Sequence, residues 1–220
     1  MRFQYWVGMA LLFCMAAGSA RADDLVALVY GQDVHRADIS IPTNELERWK
    51  GIKTEKEIAE LQQKTQRFRL LQIILGHASA AILGKASLEP TEDEMHSFRS
   101  AIPETKEMAA IRSKLTPEQR KNADAGLQRA AYEMVRVWKL NKRLYQKYGG
   151  RVAFQQAGPE PVDAYLMFFE DIVKSGKVEI VAPEFKSVLT DMPVAKNQLY
   201  MKEKDARTAF DTPWWVKKKQ

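Results

Sequence analysis

The chain has 220 residues, 45% of them hydrophobic, and carries 34 Lys and Arg against 28 Asp and Glu, for a net charge of +6. Because the two signs of charge are mixed along the sequence, this composition excludes the basic stripe of a nucleic-acid-binding protein. Cys14 is the only cysteine. No disulfide can form within the chain, so a hydrophobic core must hold the fold.

Residues 1–22 have the pattern of a secretory signal peptide. Arg2 precedes an uncharged, largely apolar run over 3–20, and the segment closes on an Ala-Arg-Ala tripeptide that ends at Ala22. The run is short for a membrane span, and small residues at the first and third places of the tripeptide suit signal peptidase. We expect cleavage between Ala22 and Asp23 and export of the remaining chain. An uncleaved N-terminal anchor is the alternative.

Strand-like runs are few and short in the exported part. The first is LVALVY at 25–30, and a turn at 31–32 can fold the chain back into 33–39. This pattern predicts a small hairpin at the start of the domain. Two minor extended segments are expected later, at 151–154 and 177–181.

Three capping boxes predict where helices begin. In each box a Thr hydroxyl accepts the backbone N–H three residues later, and a Glu or Gln at that place bonds back to the Thr backbone. The boxes start at Thr54, Thr91 and Thr116. Apolar residues at helical spacing extend the first helix to 83 and the last to 148, where glycines end both.

The helices predicted at 55–83 and 117–148 are each about 45 Å long. One apolar stripe on each cannot stabilise them alone in water, so we expect them to pack antiparallel on each other. The residues expected in shared contact are Leu71, Leu75, Met134 and Trp138. Shorter helices are predicted at 92–102, after Pro103 and at 162–174, and the fold class is therefore mainly α, with long packed helices after an N-terminal hairpin.

The domain is expected to cover 23–191, followed by an irregular basic and aromatic arm over 192–220. The most apolar later stretch, 70–83, is interrupted by polar residues, so no integral span is expected after signal removal. The end of the arm could touch an anionic membrane surface, although a solvated terminus is the alternative. The residues of this weak contact would be Trp214, Trp215, Lys217, Lys218 and Lys219.

Reactive side chains form no recognisable catalytic or metal-binding pattern. His35, His77 and His96 lack a second ligand at zinc spacing, and the sequence contains neither a Gly-x-Ser-x-Gly elbow nor a phosphate-binding loop. We therefore expect no metal, no cofactor and no catalysis. An enzyme with an unrecognised site remains the least favoured alternative.

What remains is apolar surface on elongated helices. Most of these side chains are expected in the core, but aromatic and methionine side chains also suit a surface that accepts varied apolar partners. The candidate partner-binding residues are Phe68, Leu71, Leu75, Met134, Trp138, Tyr145, Phe168 and Phe169.

The segment 25–102 resembles the N-terminal domain of the SurA family of periplasmic chaperones and peptidyl-prolyl isomerases. The matching order is LVALVYGQDV, the helix RFRLLQIILGHASAAILGKA, and then LEPTEDEM at 88–95 with its Thr cap and acidic triplet. The helix at 117–148 is similar to the later segment that packs back onto this lobe in SurA and in trigger-factor-like folds. The interval 100–117 cannot hold a parvulin isomerase domain.

The resemblance implies a periplasmic chaperone lobe without isomerase activity, although similarity to the family could lead to the name peptidyl-prolyl isomerase. Its partners would be the apolar segments of unfolded or assembling envelope proteins. The alternative is a dedicated adaptor or subunit of an envelope complex, whose helices dock one fixed partner.

Overall fold

The computed structural model describes residues 24–103, 105–155, 157–190 and 199–216, so the predicted signal peptide lies outside the described residues. The protein is mostly helical, with small antiparallel sheets. The strands are β1 (Leu25–Val29), β2 (Gln32–His35), β3 (Val152–Gln155), β4 (Gly158–Pro161) and β5 (Val178–Ile180). The helices are α1 (Thr43–Lys50), α2 (Glu55–Leu83), α3 (Glu92–Ala101), α4 (Lys106–Ser113), α5 (Pro117–Tyr148), α6 (Val162–Lys174) and α7 (Glu203–Thr208).

The chain forms two compact units, and each is discontinuous in sequence. The sheet unit contains the described residues 24–85 and 166–190, and the α5 unit contains 86–165 and 199–216. The sequence indicates no such division, and the expected domain over 23–191 stays a prediction. One crossing between the units, at 165–166, lies inside α6, which therefore contributes residues to both units.

The sheet unit is built on a three-stranded antiparallel sheet with β1 between β2 and β5. The predicted hairpin is present, but its turn lies one residue earlier than expected. Val29 pairs with Gln32, so Tyr30 and Gly31 form the two-residue turn. Both have positive φ, 51° and 79°, which is the geometry that matches the twist of a hairpin.

Helix α2 begins at the predicted capping box, where the Thr54 hydroxyl accepts from the Glu57 N–H and the Glu57 carboxylate accepts from the Thr54 N–H. Its buried apolar residues, Leu70, Ile74 and Ala78, recur every four positions and therefore lie along one face of the helix. These buried side chains belong to the core of the sheet unit.

In the α5 unit, α5 packs against α3 and against strand β4. Both helices begin at their predicted capping boxes, Thr91 and Thr116. The buried cluster between them, which we call the tryptophan core, consists of Met95, Phe98, Ala131, Val135, Trp138 and Trp215. Three residues of α5, Ala131, Val135 and Trp138, are thus buried in a cluster of its own unit, while α2 belongs to the sheet unit. The predicted antiparallel pairing of the two long helices stays a prediction.

The segment after 191 differs from the irregular arm that the sequence predicted. Residues 203–208 form helix α7, and its Ala206 packs with Phe210 and Val152 in a second buried cluster. Trp215 is buried in the tryptophan core, so it has no free face for a membrane. The sequence suggested otherwise because this core forms between distant residues, which local periodicity does not detect. Lys217, Lys218 and Lys219 lie outside the described residues.

Strands lie at both predicted extended segments, as β3 and β5. The partner of β3 is β4. Its sequence, Gly-Pro-Glu-Pro, is typical of the start of a helix, yet it forms a strand. In the part of the chain that the structure describes, no helix alone has the length and apolar character of a membrane span. One pair of successive segments, 55–83 and 85–101, passes that test only when the two are taken together.

Candidate functional site

Three of the predicted partner-binding residues are core residues. Phe168 and Phe169 are buried, with their rings edge to face at 6.1 Å. Trp138 is buried in the tryptophan core, with its ring centroid 5.6 Å from that of Trp215. Their side chains therefore offer almost no surface to a partner. Helical spacing identifies an apolar residue on one face of a helix, but it does not show whether another part of the chain covers that residue.

The other five are partly buried or exposed. Leu71 and Leu75 are partly buried on α2, and Phe68 is 37% exposed. Met134 packs against the tryptophan core, and Tyr145 lies against Phe210 with ring centroids 4.9 Å apart. The eight predicted residues are divided between the two units, five in the sheet unit and three in the α5 unit. The structure does not gather them into a site within either unit.

A different apolar surface lies on the α5 unit, at the end of α3, on α4 and at the start of α5. Helix α4 buries none of its residues. It begins at Thr105, whose hydroxyl accepts from the Met108 N–H at 3.2 Å, so it is a properly capped helix. The exposed apolar side chains here are Ile102 (45%), Met108 (44%), Ile111 (63%) and Leu127 (42%).

One of these side chains, Leu127, lines an open cleft between α3, α4 and α5, which we call the α4 cleft. Its volume is about 520 Å³, and its lining residues are His96, Arg99, Ser100, Arg112, Asp124 and Leu127. The Arg112 guanidinium donates to the Asp124 carboxylate at 2.6 Å and so joins α4 to α5. A smaller adjoining hollow is lined by Ala109, Arg112, Ser113 and Arg120.

Ion pairs and hydrogen bonds fix the helices that form the wall of the cleft. The Lys139 ammonium on α5 donates to the Glu94 carboxylate at 2.9 Å and to the Glu89 carbonyl at 2.7 Å. The Tyr132 hydroxyl donates to the Glu89 carboxylate at 2.6 Å. Burial alone would raise the pKa of Glu94, but the Thr91 backbone N–H and Lys139 outweigh it and lower that pKa. The ionised carboxylate therefore holds α3 against α5.

Buried polar groups occur at a second place in the α5 unit, beside strand β4. The Asn141 amide donates to the Pro159 carbonyl at 3.0 Å and accepts from the Tyr165 hydroxyl at 2.7 Å. Burial, together with the nearby Glu160 charge, raises the pKa of Tyr165. Burial also raises the pKa of Glu160. Because Asn141 is bonded at both ends, this group is a structural anchor for β4.

The raised pKa of Glu160 gives a prediction of pH-dependent stability. Below the ordinary pKa of Glu, both folded and unfolded chains hold the proton, so Glu160→Gln should leave stability unchanged. As the pH rises from the ordinary pKa of Glu to the raised pKa of the folded protein, the unfolded chain releases the Glu160 proton before the folded chain does. The wild type therefore loses stability over this interval. We expect Glu160→Gln to raise the melting temperature at pH 7 and not at pH 3, measured by circular dichroism. Glu179→Gln, at an exposed position on β5, is the control, and an equal gain in both variants would contradict the prediction.

Within the described ranges, no group of three or more His, Cys, Asp and Glu side chains is arranged to hold a metal ion. Comparison of the chain with known protein families, curated proteins and solved structures found no match. The α4 cleft is therefore interpreted from its own residues. The sequence predicts the helix after Pro103, but nothing in the spacing of its apolar residues Met108 and Ile111 indicates that they stay uncovered.

Proposed function

We propose that this protein is exported to the periplasm, where it binds apolar segments of unfolded or assembling envelope proteins as a chaperone and performs no catalysis. The observation that carries the proposal is the α4 cleft. Leu127 of α5 is an exposed apolar residue that lines it, and helix α4, which contributes Arg112 to its lining, has none of its residues buried and presents Met108 and Ile111 to solvent. Apolar residues clustered on a surface mark sites of interaction with other molecules.

Three further features support the proposal. The signal-like segment 1–22 is the basis for export, and the order of hairpin, α2 and capped α3 resembles the SurA N-terminal lobe. An open cleft without a shaped pocket suits many weakly bound sequences better than one fixed ligand. The methionine adds to this, because its flexible thioether side chain adapts to differently shaped partners.

Aggregation of denatured clients tests the proposal. The exported chain, residues 23–220, should reduce light scattering from two unrelated denatured proteins, and Met108→Ser combined with Ile111→Ser should remove at least half of that protection. The reason is that the double substitution removes most of the exposed apolar area of α4. Val173→Ser is the matched control, since Val173 is an exposed apolar residue on α6 in the other unit, and it should protect as well as the wild type.

Other outcomes would favour other functions. If neither client is protected and a stable one-to-one complex is recovered from envelope extracts, the protein is a dedicated adaptor with a fixed partner. Equal loss of protection in the Val173→Ser control would place the binding surface away from α4. Turnover of a proline peptide by the exported chain would contradict the absence of catalysis.

A further inference from the structure

We propose that the α4 cleft selects apolar segments that also carry acidic side chains, so that its preferred client sequence has Asp or Glu next to apolar residues. This inference rests on the proposed function and names the class of segment that the same site takes. It is carried by the charges that line the α4 cleft and the adjoining hollow.

Positive charge exceeds negative charge around the cleft. The cleft and the adjoining hollow are lined by three arginines and one aspartate. These are Arg99, Arg112, Arg120 and Asp124. Asp124 is bonded to Arg112 and offsets one of these charges. In the part of the chain that the structure describes, neither Arg99 nor Arg120 belongs to an ion pair, and both side chains are exposed.

The three guanidinium groups line the cleft and its adjoining hollow. Arg99 and Leu127 line the same cleft from α3 and α5, and Arg112 is one helical turn after Met108 on α4. The Arg120 Nε–H donates to the Leu115 carbonyl at 3.1 Å, which fixes the side chain and leaves its terminal NH₂ groups for a ligand. Guanidinium groups bind carboxylates with two parallel hydrogen bonds. A segment that fills the apolar surface thus gains contacts if it carries carboxylates and meets repulsion if it carries lysines.

Three labelled peptides with the same apolar residues test this preference. Their intervening positions are Glu in the first, Gln in the second and Lys in the third, and binding to the exported chain is measured by fluorescence anisotropy. At low salt the Glu peptide should bind on the order of three- to tenfold more tightly than the Gln peptide, and the Lys peptide least tightly. High salt should reduce the difference, because exposed charges are screened.

Arginine variants place the preference in the cleft. Arg99→Gln combined with Arg120→Gln removes the two arginines that belong to no ion pair among the described residues and should abolish the preference for the Glu peptide over the Gln peptide. The control is Arg129→Gln, which removes an exposed arginine of the same helix, nine positions from Arg120 and hence on the opposite face. That variant should keep the preference. Circular dichroism checks that all variants remain folded.

The failures can be told apart. Equal binding of all three peptides would overturn this inference and leave the chaperone function standing, whereas no binding of any peptide, together with no protection of denatured clients, would overturn both. Binding to phosphatidylglycerol vesicles that is lost in the double arginine variant, without a preference among the peptides, would also overturn the inference and assign the charge to a lipid surface.

Discussion

Trp138→Ala should cost about 3–5 kcal/mol of folding free energy, because the ring is buried among the side chains of the tryptophan core and its removal leaves a cavity. Chemical denaturation followed by circular dichroism measures the change. Leu127→Ala is the matched control on the same helix, since Leu127 is 42% exposed, and it should cost less than about 1 kcal/mol. A change below about 1 kcal/mol for Trp138→Ala would return this residue to the partner-binding surface.

The same measurement tests whether Trp215 belongs to this core. The Trp138 and Trp215 ring centroids lie 5.6 Å apart at an interplanar angle of 72°, an edge-to-face pair within one core. Trp215→Ala should therefore also be destabilising, and the two substitutions together should cost less than the sum of the two separate costs. Strictly additive costs would mean that the rings do not share a cavity.

Gly158→Ala should destabilise the protein by about 2–4 kcal/mol, for two reasons that act together. Gly158 has φ +93°, a backbone conformation that residues with a Cβ rarely adopt. A Cβ there would also lie 2.2 Å from the Trp214 ring. This ring packs edge to face against Phe98 and Phe154, so it has little room to move away. Thermal and chemical unfolding give the measurement.

Gly126→Ala is the matched control for this substitution. Gly126 lies inside α5, and a Cβ added there meets no heavy atom within 4 Å. Alanine is a better helix former than glycine, so this variant should gain about 0.5–1 kcal/mol. A loss at both positions would show that added methyl groups are poorly tolerated everywhere in the α5 unit, and the special geometry of Gly158 would not be the cause.

The features that the sequence predicted well are local ones. The starts of α2, α3 and α5 follow from Thr54, Thr91 and Thr116, because a capping box involves residues only three positions apart. The turn after β1 was predicted one residue too late, because it includes Tyr30, and the positive φ of this residue is disfavoured for any residue with a bulky side chain. Strand β4 was missed because its two prolines are atypical of strands and are tolerated in a two-stranded ribbon.

The candidate site was the hardest part to predict. Phe168 and Met108 are both apolar residues on amphipathic helices, yet Phe168 is fully buried and Met108 is 44% exposed. The difference depends on which elements pack against each helix, and distant parts of the chain supply those elements. Periodicity identifies the apolar face of a helix but does not say whether that face is covered.

The tryptophan core also constrains the order in which the α5 unit can be completed. Phe98 and Trp138 meet Trp215 edge to face, although Trp215 is separated from both by the β3–β4 hairpin, all of α6 and helix α7. Contacts between such distant positions close large loops and form late, after the local helices. A growing chain would expose this core until the tryptophan pair is made. The α5 unit therefore cannot complete its buried core until Trp215 has been added to the chain.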